Sequence, residues 1–570
     1  MNPNNKIKLL LIKNLSVSFN GNNGIVNAVK DVGFEILKGK SLGIVGESGS
    51  GKSVTALAII QLLSAQASVD SGSILFDDVE LLSLRSKEIR KIRGKKISMI
   101  FQEPMTSLNP VMRCGKQVSE VFKQHQRINK KEIRQKVVQL FEKVKLPRPE
   151  KIYDSYPHEI SGGQKQRVMI AMAIANKPDL LIADEPTTAL DVTVQKELII
   201  LLNSLKKEYG MSLLFISHDL GLVSELVDDV AVMYKGEIVE KGSISDVFNN
   251  PQHNYTKGLL ACRPPIDAKP KRLSTVEDFM LKADFDKSND KEYLVEAEQK
   301  TFPNTKGAPI LKVDNLEKHF ILERNFAGKA TSVVRAVDDV SFDVREGETL
   351  GLVGESGCGK TTLSRNLLRL LDADGGKIFF SDNNVLTLDK KQLKEYRKNL
   401  NIVFQDPYSS LNPRISIGQA IAEPMKVHKM YNSDRERRQK TVELIEKVGL
   451  SKDTFYKYPH EFSGGQRQRI VIARALALKP KFLICDEAVS ALDVSVQAKV
   501  LNLLNEIKEE FGFTYIFISH DLNVVKYMSD RIMVMKDGKI VEIGDAEEVY
   551  NSPKEKYTQD LIAAIPGGKG

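Results

Sequence analysis

The sequence predicts two α/β domains in tandem, each wound around a central parallel sheet. Three observations carry this. One set of motifs is written twice, most of them 302 or 303 residues apart. Within each copy, short and nearly continuous apolar runs alternate with long helical patterns. In each copy a glycine-rich turn joins one such run to a helix.

The repeats set the register. FQEPMTSLNP begins at Phe101 and FQDPYSSLNP at Phe404, a shift of 303. YPHEISGGQKQR begins at Tyr156 and YPHEFSGGQRQR at Tyr458; FISHDL begins at Phe215 and Phe517; both shifts are 302. A period the size of a whole domain excludes a solenoid. The first domain is expected over 1–262 and the second over 308–570. The polar, proline-containing stretch 263–307 between them reads as a linker able to hold one short helix. SLGIVG, ISMIFQ, LLIADE and LLFISH read as strands buried on both faces, and KKEIRQKVVQLFEKV and VQKELIILLNSLKKEY as helices.

Composition bounds the function. The chain has 570 residues, a formal charge of +9 and a pI near 9.0, a balance that favours anionic partners. Its four cysteines, Cys114, Cys262, Cys358 and Cys485, are scattered without a C-x-x-C pair, so neither a zinc nor an iron–sulfur site is expected. No apolar run approaches the roughly 18 residues of a membrane span. Lys13 and Asn14 interrupt the apolar N-terminus, so a cytosolic protein is expected.

Each copy carries the same chemistry. Gly46, Glu47, Ser48, Gly49, Ser50, Gly51, Lys52 and Ser53 form a G-x-x-x-x-G-K-S loop between an apolar strand and a helix. Backbone N–H groups, the helix N-terminus and Lys52 suit phosphates, and the Ser53 hydroxyl suits Mg²⁺. Gly354, Glu355, Ser356, Gly357, Cys358, Gly359, Lys360 and Thr361 repeat the loop. Asp184–Glu185 and Asp486–Glu487 end apolar strands, where a parallel sheet opens its ligand mouth. Asp184 and Asp486 would hold Mg²⁺ through water; Glu185 and Glu487 would orient or deprotonate the attacking water. His218 and His520 each lie 33 residues beyond their glutamate, a fixed spacing that reads as a γ-phosphate sensor. Gln102 and Gln405 end strands and are candidates to feel Mg²⁺ and the attacking water. Ser161, Gly162, Gly163 and Gln164, repeated as Ser463, Gly464, Gly465 and Gln466, open a strong helix. They are either a plain N-cap or a second anion grip.

A phosphate loop, a glutamine loop, SGGQ, an apolar strand ending in Asp-Glu, an A-L-D and a following histidine resemble, in that order, the nucleotide-binding domain of ABC transporters. The resemblance covers both copies and leaves out the linker and the extreme ends. It implies ATP and Mg²⁺ as cofactors, a helical subdomain and an antiparallel β edge beside the central sheet, and head-to-tail pairing of the two domains. One site would join the first phosphate loop, Gln102, Asp184, Glu185 and His218 to Ser463–Gln466. The other would join the second loop, Gln405, Asp486, Glu487 and His520 to Ser161–Gln164. Asp191 and Asp493 would sit at the seam, and Phe19 and Phe320 lie where the family stacks an aromatic on adenine. The one departure is Ala488 in place of Pro186, which implies at most a modest change in loop stiffness.

FQ(E/D)P-x-x-SLNP, YPHE before SGGQ, VTVQ or VSVQ, and tails around Tyr255 and Tyr557 resemble the dipeptide/oligopeptide/nickel importer subfamily. That implies an ATPase at the cytoplasmic face of the membrane, two transmembrane permease partners, an indirect extracytoplasmic binding protein and no nucleic acid. A tandem ABC ATPase acting on ribosomes remains the alternative. A DNA-repair type is disfavoured, because Gly51 and Ser161 are only 110 residues apart.

Overall fold

The computed structural model describes residues 7–21, 24–102, 107–187, 190–266, 268–281, 308–324, 330–490 and 492–565. The chain divides into two compact units. One is Met1–Leu190, Val194–Ala261 and Val276–Ala283; the other is Asp191–Thr193, Cys262–Thr275 and Asp284–Gly570.

In the first unit the strands are β1 (Lys8–Gly21), β2 (Gly24–Leu37), β3 (Ser41–Val45), β4 (Ala67–Phe76), β5 (Val79–Glu80), β6 (Ile97–Ile100), β7 (Leu180–Asp184), β8 (Ser212–Ser217), β9 (Asp229–Tyr234) and β10 (Glu237–Ser243). Six form the central sheet in the order β10-β9-β3-β8-β7-β6. All pairs are parallel except β9 with β10. The strands read as apolar runs are buried on both faces, every residue of β3, β7 and β8 among them. A separate antiparallel sheet, β2-β1-β4-β5, supplies the expected antiparallel edge. Its apolar residues, Leu10, Ile12, Val32, Phe34 and Ile74 among them, share one core with Ile44, Ile182 and Ile216 of the parallel sheet.

The helices Cys114–His125, Lys130–Lys143, Pro149–Asp154 and Gly162–Ile174 form the helical subdomain. The second is capped by Asn129, whose side chain accepts from the Glu132 N–H.

The second unit repeats the plan with β11 (Pro309–Arg324), β12 (Ala330–Arg345), β13 (Thr349–Val353), β14 (Gly375–Phe380), β15 (Asn383–Asn384), β16 (Leu400–Val403), β17 (Phe482–Asp486), β18 (Thr514–Ile518), β19 (Arg531–Lys536) and β20 (Lys539–Asp545). The orders are β16-β17-β18-β13-β19-β20 and β12-β11-β14-β15. The fold class expected from the repeats is therefore the one observed, twice.

Within the stretch read as a linker, 282–307 and Asp267 lie outside the described residues. The earlier part is ordered by packing that polar composition hides. Leu273 is buried in the second unit, its N–H and C=O both held by the Asn502 side-chain amide at 2.8 and 2.9 Å. The short helix Val276–Met280 packs so closely on the helix Asn254–Ala261 that a Cβ on Gly258 would lie 2.9 Å from the Val276 Cα.

Candidate functional site

Each phosphate loop leaves the carboxyl end of a central strand, β3 or β13, and enters a helix, Lys52–Ile59 or Lys360–Leu367. The glycines are dictated first by the protein's own backbone. Gly51 and Gly359 cap these helices at φ 101° and 111°. A Cβ there would lie 2.5 Å from the Ala28 carbonyl oxygen and 2.0 Å from that of Ala336. Gly46 and Gly354 are equally constrained, by the carbonyls of Met233 and Met535, each 2.2 Å from such a Cβ.

Lys52 and Lys360 are buried inside their loops. Lys52 Nζ donates to the carbonyls of Gly46 and Glu47 at 2.7 and 2.8 Å and lies 3.5 Å from Ser50 Oγ. Lys360 Nζ donates to those of Gly354 and Glu355 at 2.7 and 2.9 Å, with Cys358 Sγ at 3.8 Å.

The acids close in from the next strand but one. Ser53 Oγ donates to Asp184 Oδ1 at 3.0 Å. Burial pushes the Asp184 carboxyl up to about 6; Glu185 adds to the rise, and Ser53 and Lys52 oppose it. Asp486 is raised too, by burial first, and its Oδ1 is buried without a hydrogen-bond partner. A buried, unsatisfied carboxylate oxygen on Asp486, and in the first copy a buried carboxylate on the Ser53 hydroxyl, fit a hard cation such as Mg²⁺.

Glu185 and Glu487 stand in the left-handed region at φ 45° and 49°, strain that a functional site can hold. Their backbones are fixed by N–H bonds to the carbonyls of Ile216 and Ile518 at 2.9 and 3.0 Å. Gln102 Nε2 donates to Glu185 Oε2 at 3.0 Å, and His218 Nδ1 lies 3.3 Å from the same oxygen. In the second copy Gln405 Nε2 donates to Glu487 Oε2 at 2.6 Å, with His520 Nδ1 at 3.8 Å. Burial pushes Glu487 up, but the His520 hydrogen bond and the charges of His520 and Lys360 outweigh it, leaving its carboxyl below the ordinary value. Ala488 is buried in a loop whose glutamate keeps nearly the same φ as beside Pro186. Each copy thus gathers a glutamine, a glutamate and a histidine at one carboxylate oxygen, with the second acid turned to the phosphate loop. Such a cluster can orient a water toward a phosphate held over the loop.

Ser161 and Ser463 do cap their helices. Each side chain accepts from the N–H of Gln164 or Gln466, whose side chain accepts in return from the serine N–H, at 3.1 and 3.0 Å. Gly162 and Gly464 face open space, whereas a Cβ on Gly163 or Gly465 would lie 3.2 or 2.2 Å from Val194 or Val496. Phe19 packs against the first core and Phe320 is 39% exposed, with Lys318 Nζ 5.9 Å from its ring centre.

Three features escaped the sequence reading. Ser364, one helical turn past Thr361, places its hydroxyl 3.1 Å from Asp486 Oδ2; the first copy has Ala56 there. Gln195 Nε2 donates to the carbonyls of Thr187 and Leu190, bracing the loop after Glu185. Tyr255 and Tyr557 reach the phosphate loops. The last two lay in motifs that were recognised but given no role.

The family model described as "ABC transporter" matches residues 29–188 and 337–490. The chain belongs to the ABC transporter family. It is an ATP-binding, ATP-hydrolysing chain built from two cassettes. Both tails, 239–283 and 541–569, match a second model, "Oligopeptide/dipeptide transporter, C-terminal region". This ABC transporter chain is 45% identical over 569 residues to the glutathione import ATP-binding protein GsiA of Escherichia coli strain K12, covering 98% of this chain and 89% of that one. The GsiA protein of Shigella flexneri is 45% identical over 564 residues with the same coverage. A solved structure, the dimeric post-hydrolysis state of the cassette MJ0796 bound to ADP and Pi, is 28% identical. It covers 41% of this chain and 98% of its own, with a TM-score of 0.38. Tails of the peptide-transporter type leave the ribosome alternative without support.

Proposed function

We propose that the chain is the energy-supplying subunit of an importer for peptides or peptide-like molecules, and that glutathione is the first substrate to try. The observation that carries this is the 45% identity to glutathione import ATPases across 98% of the chain. The peptide-transporter tails of both copies support it.

Phosphates of ATP would lie in the two loops, drawn by Lys52 and Lys360. Ser53, Gln102 and Asp184 would hold Mg²⁺ in one copy, and Thr361, Gln405 and Asp486 in the other. The cation supplies charge neutralisation of the phosphates when bound. Glu185 and Glu487 receive the water's proton or fix its direction, while Gln102 or Gln405 and His218 or His520 aim the carboxylate. Phe19 and Phe320 would flank adenine. The functional domains are 1–262 and 308–570, joined by 263–307. Each SGGQ would complete the nucleotide site of the other copy, with Asp191 and Asp493 at the seam. The partners would be two transmembrane permeases at the cytoplasmic face of the membrane, served by an extracytoplasmic binding protein.

Purification of the tagged chain from gently solubilised membranes, with mass spectrometry, tests this reading. Two multi-span permeases are expected in stoichiometric amount. Ribosomal proteins in their place would overturn the transport assignment.

A further inference from the structure

The C-terminal tail of each copy touches its own phosphate loop through one hydroxyl. The helix Asn254–Ala261 buries Tyr255 completely, and the Glu47 N–H donates to its Oη at 3.0 Å. In the second copy the helix Lys556–Ala563 brings Tyr557 to the Glu355 N–H at 3.1 Å. The Glu47 and Glu355 N–H groups share their peptides with the carbonyls of Gly46 and Gly354, which accept from Lys52 and Lys360 at 2.7 Å. One peptide in each loop therefore receives the tail at its N–H and the lysine at its C=O.

The tail's approach is fixed the same way in both copies. Glu240, on β10, accepts from the N–H groups of Gln252 and His253 at 2.7 and 3.1 Å. Glu542, on β20, accepts from those of Lys554 and Glu555 at 2.9 and 3.3 Å. The Tyr255 ring rests 4.3 Å from that of Tyr234, and Lys536 Nζ stands 4.8 Å from the centre of the Tyr557 ring. The surrounding tail sequences differ, HNYTKGLL against KEKYTQDLI, yet the tyrosine and its bond are the same.

We propose that Tyr255 and Tyr557 are positioning residues for ATP binding: each hydroxyl fixes the first peptide of its phosphate loop, and with it the carbonyl that aims the loop lysine. The hydroxyl is the acceptor for a loop N–H in a partly buried setting. Without it the N–H loses this bond and the peptide is held less firmly. That loosening reaches the lysine's acceptor and not the glutamate, so the effect falls on nucleotide affinity rather than on the chemical step. The tail, which sets this chain apart from a bare cassette, thereby gains a hand on the nucleotide.

The proposal rests on the reading that ATP phosphates occupy these loops, and the test separates the two. Full-length Tyr255→Phe, Tyr557→Phe and the double variant are compared with Lys52→Ala and Lys360→Ala. The readouts are equilibrium binding of a fluorescent ATP analogue, the KM and kcat of hydrolysis, and nucleotide-free thermal unfolding. A neutral hydrogen bond is worth about threefold to tenfold in affinity. The double tyrosine variant is expected to raise Kd and KM by that factor and to hold kcat within about twofold. Unchanged Kd and KM, with or without a lowered Tm, would overturn the proposal and make the tyrosines merely structural. If Tyr255→Phe unfolds the chain, Tyr557→Phe, with the less buried ring, decides the question on the same readouts. If the lysine variants bind the analogue as the parent does, the site assignment itself falls.

Discussion

At the residue scale the decisive groups are the two glutamates held in left-handed backbone. Each is reached by a glutamine and a histidine at a single oxygen, so its charge is aimed rather than free. Replacing Glu185 and Glu487 together with Gln keeps shape and hydrogen bonding but removes the proposed base. Turnover should fall by about 10² to 10⁴ while ATP stays bound; single-turnover hydrolysis with labelled ATP measures both. Asp184 makes a separate prediction. Its folded carboxyl titrates near 6, above the ordinary unfolded value of about 3.9. A raised acid binds its proton more tightly when folded, so stability falls as pH rises from about 4 to about 6. Above that range the buried charge carries its full cost. Asp184→Asn should therefore raise the nucleotide-free Tm at pH 7.5 and raise it less at pH 5, as calorimetry at the two pH values would register.

At the scale of elements, the strands and caps follow from local chemistry. Strand β7, LLIAD, is buried at every residue, and its apolar run says so without help. The YPHE motif is readable as a turn: Pro at the first position and Glu159 or Glu461 bonding back to the Tyr156 or Tyr458 N–H make a short 3₁₀ helix that delivers the chain to SGGQ. What stays hidden is contact between segments far apart in sequence. The bond from Glu47 to Tyr255 spans 208 residues, and Ser364 meets Asp486 across 122; no period or spacing encodes either. The signature glycines divide in the same manner. Gly464 faces open space while Gly465 packs on Val496, although both read alike as helix-start glycines. Gly465→Ala should destabilise the second cassette by about 1–3 kcal/mol. Gly464→Ala should leave Tm unchanged and lower only the ATPase rate. Chemical denaturation and steady-state hydrolysis of the two variants separate fold from function.

At the scale of the whole molecule, the duplication supplies two sets of the candidate site groups in one chain. Small differences mark them apart: Ser364 against Ala56, Cys358 against Ser50 and Ala488 against Pro186. Two sites that both turn over should each contribute, so Glu185→Gln alone and Glu487→Gln alone should leave measurable and unequal ATPase rates. Among the described residues no helix is long and apolar enough to cross a membrane; the proposed import runs through membrane permeases. The measurement that bears most directly on this is ATP-driven uptake of labelled glutathione and short peptides into proteoliposomes. These would contain the chain with its co-purified permeases and binding protein, compared with the Glu185→Gln, Glu487→Gln double variant. Uptake that needs ATP and vanishes in the double variant is the expected result. Uptake at the parent rate in that variant would contradict the account.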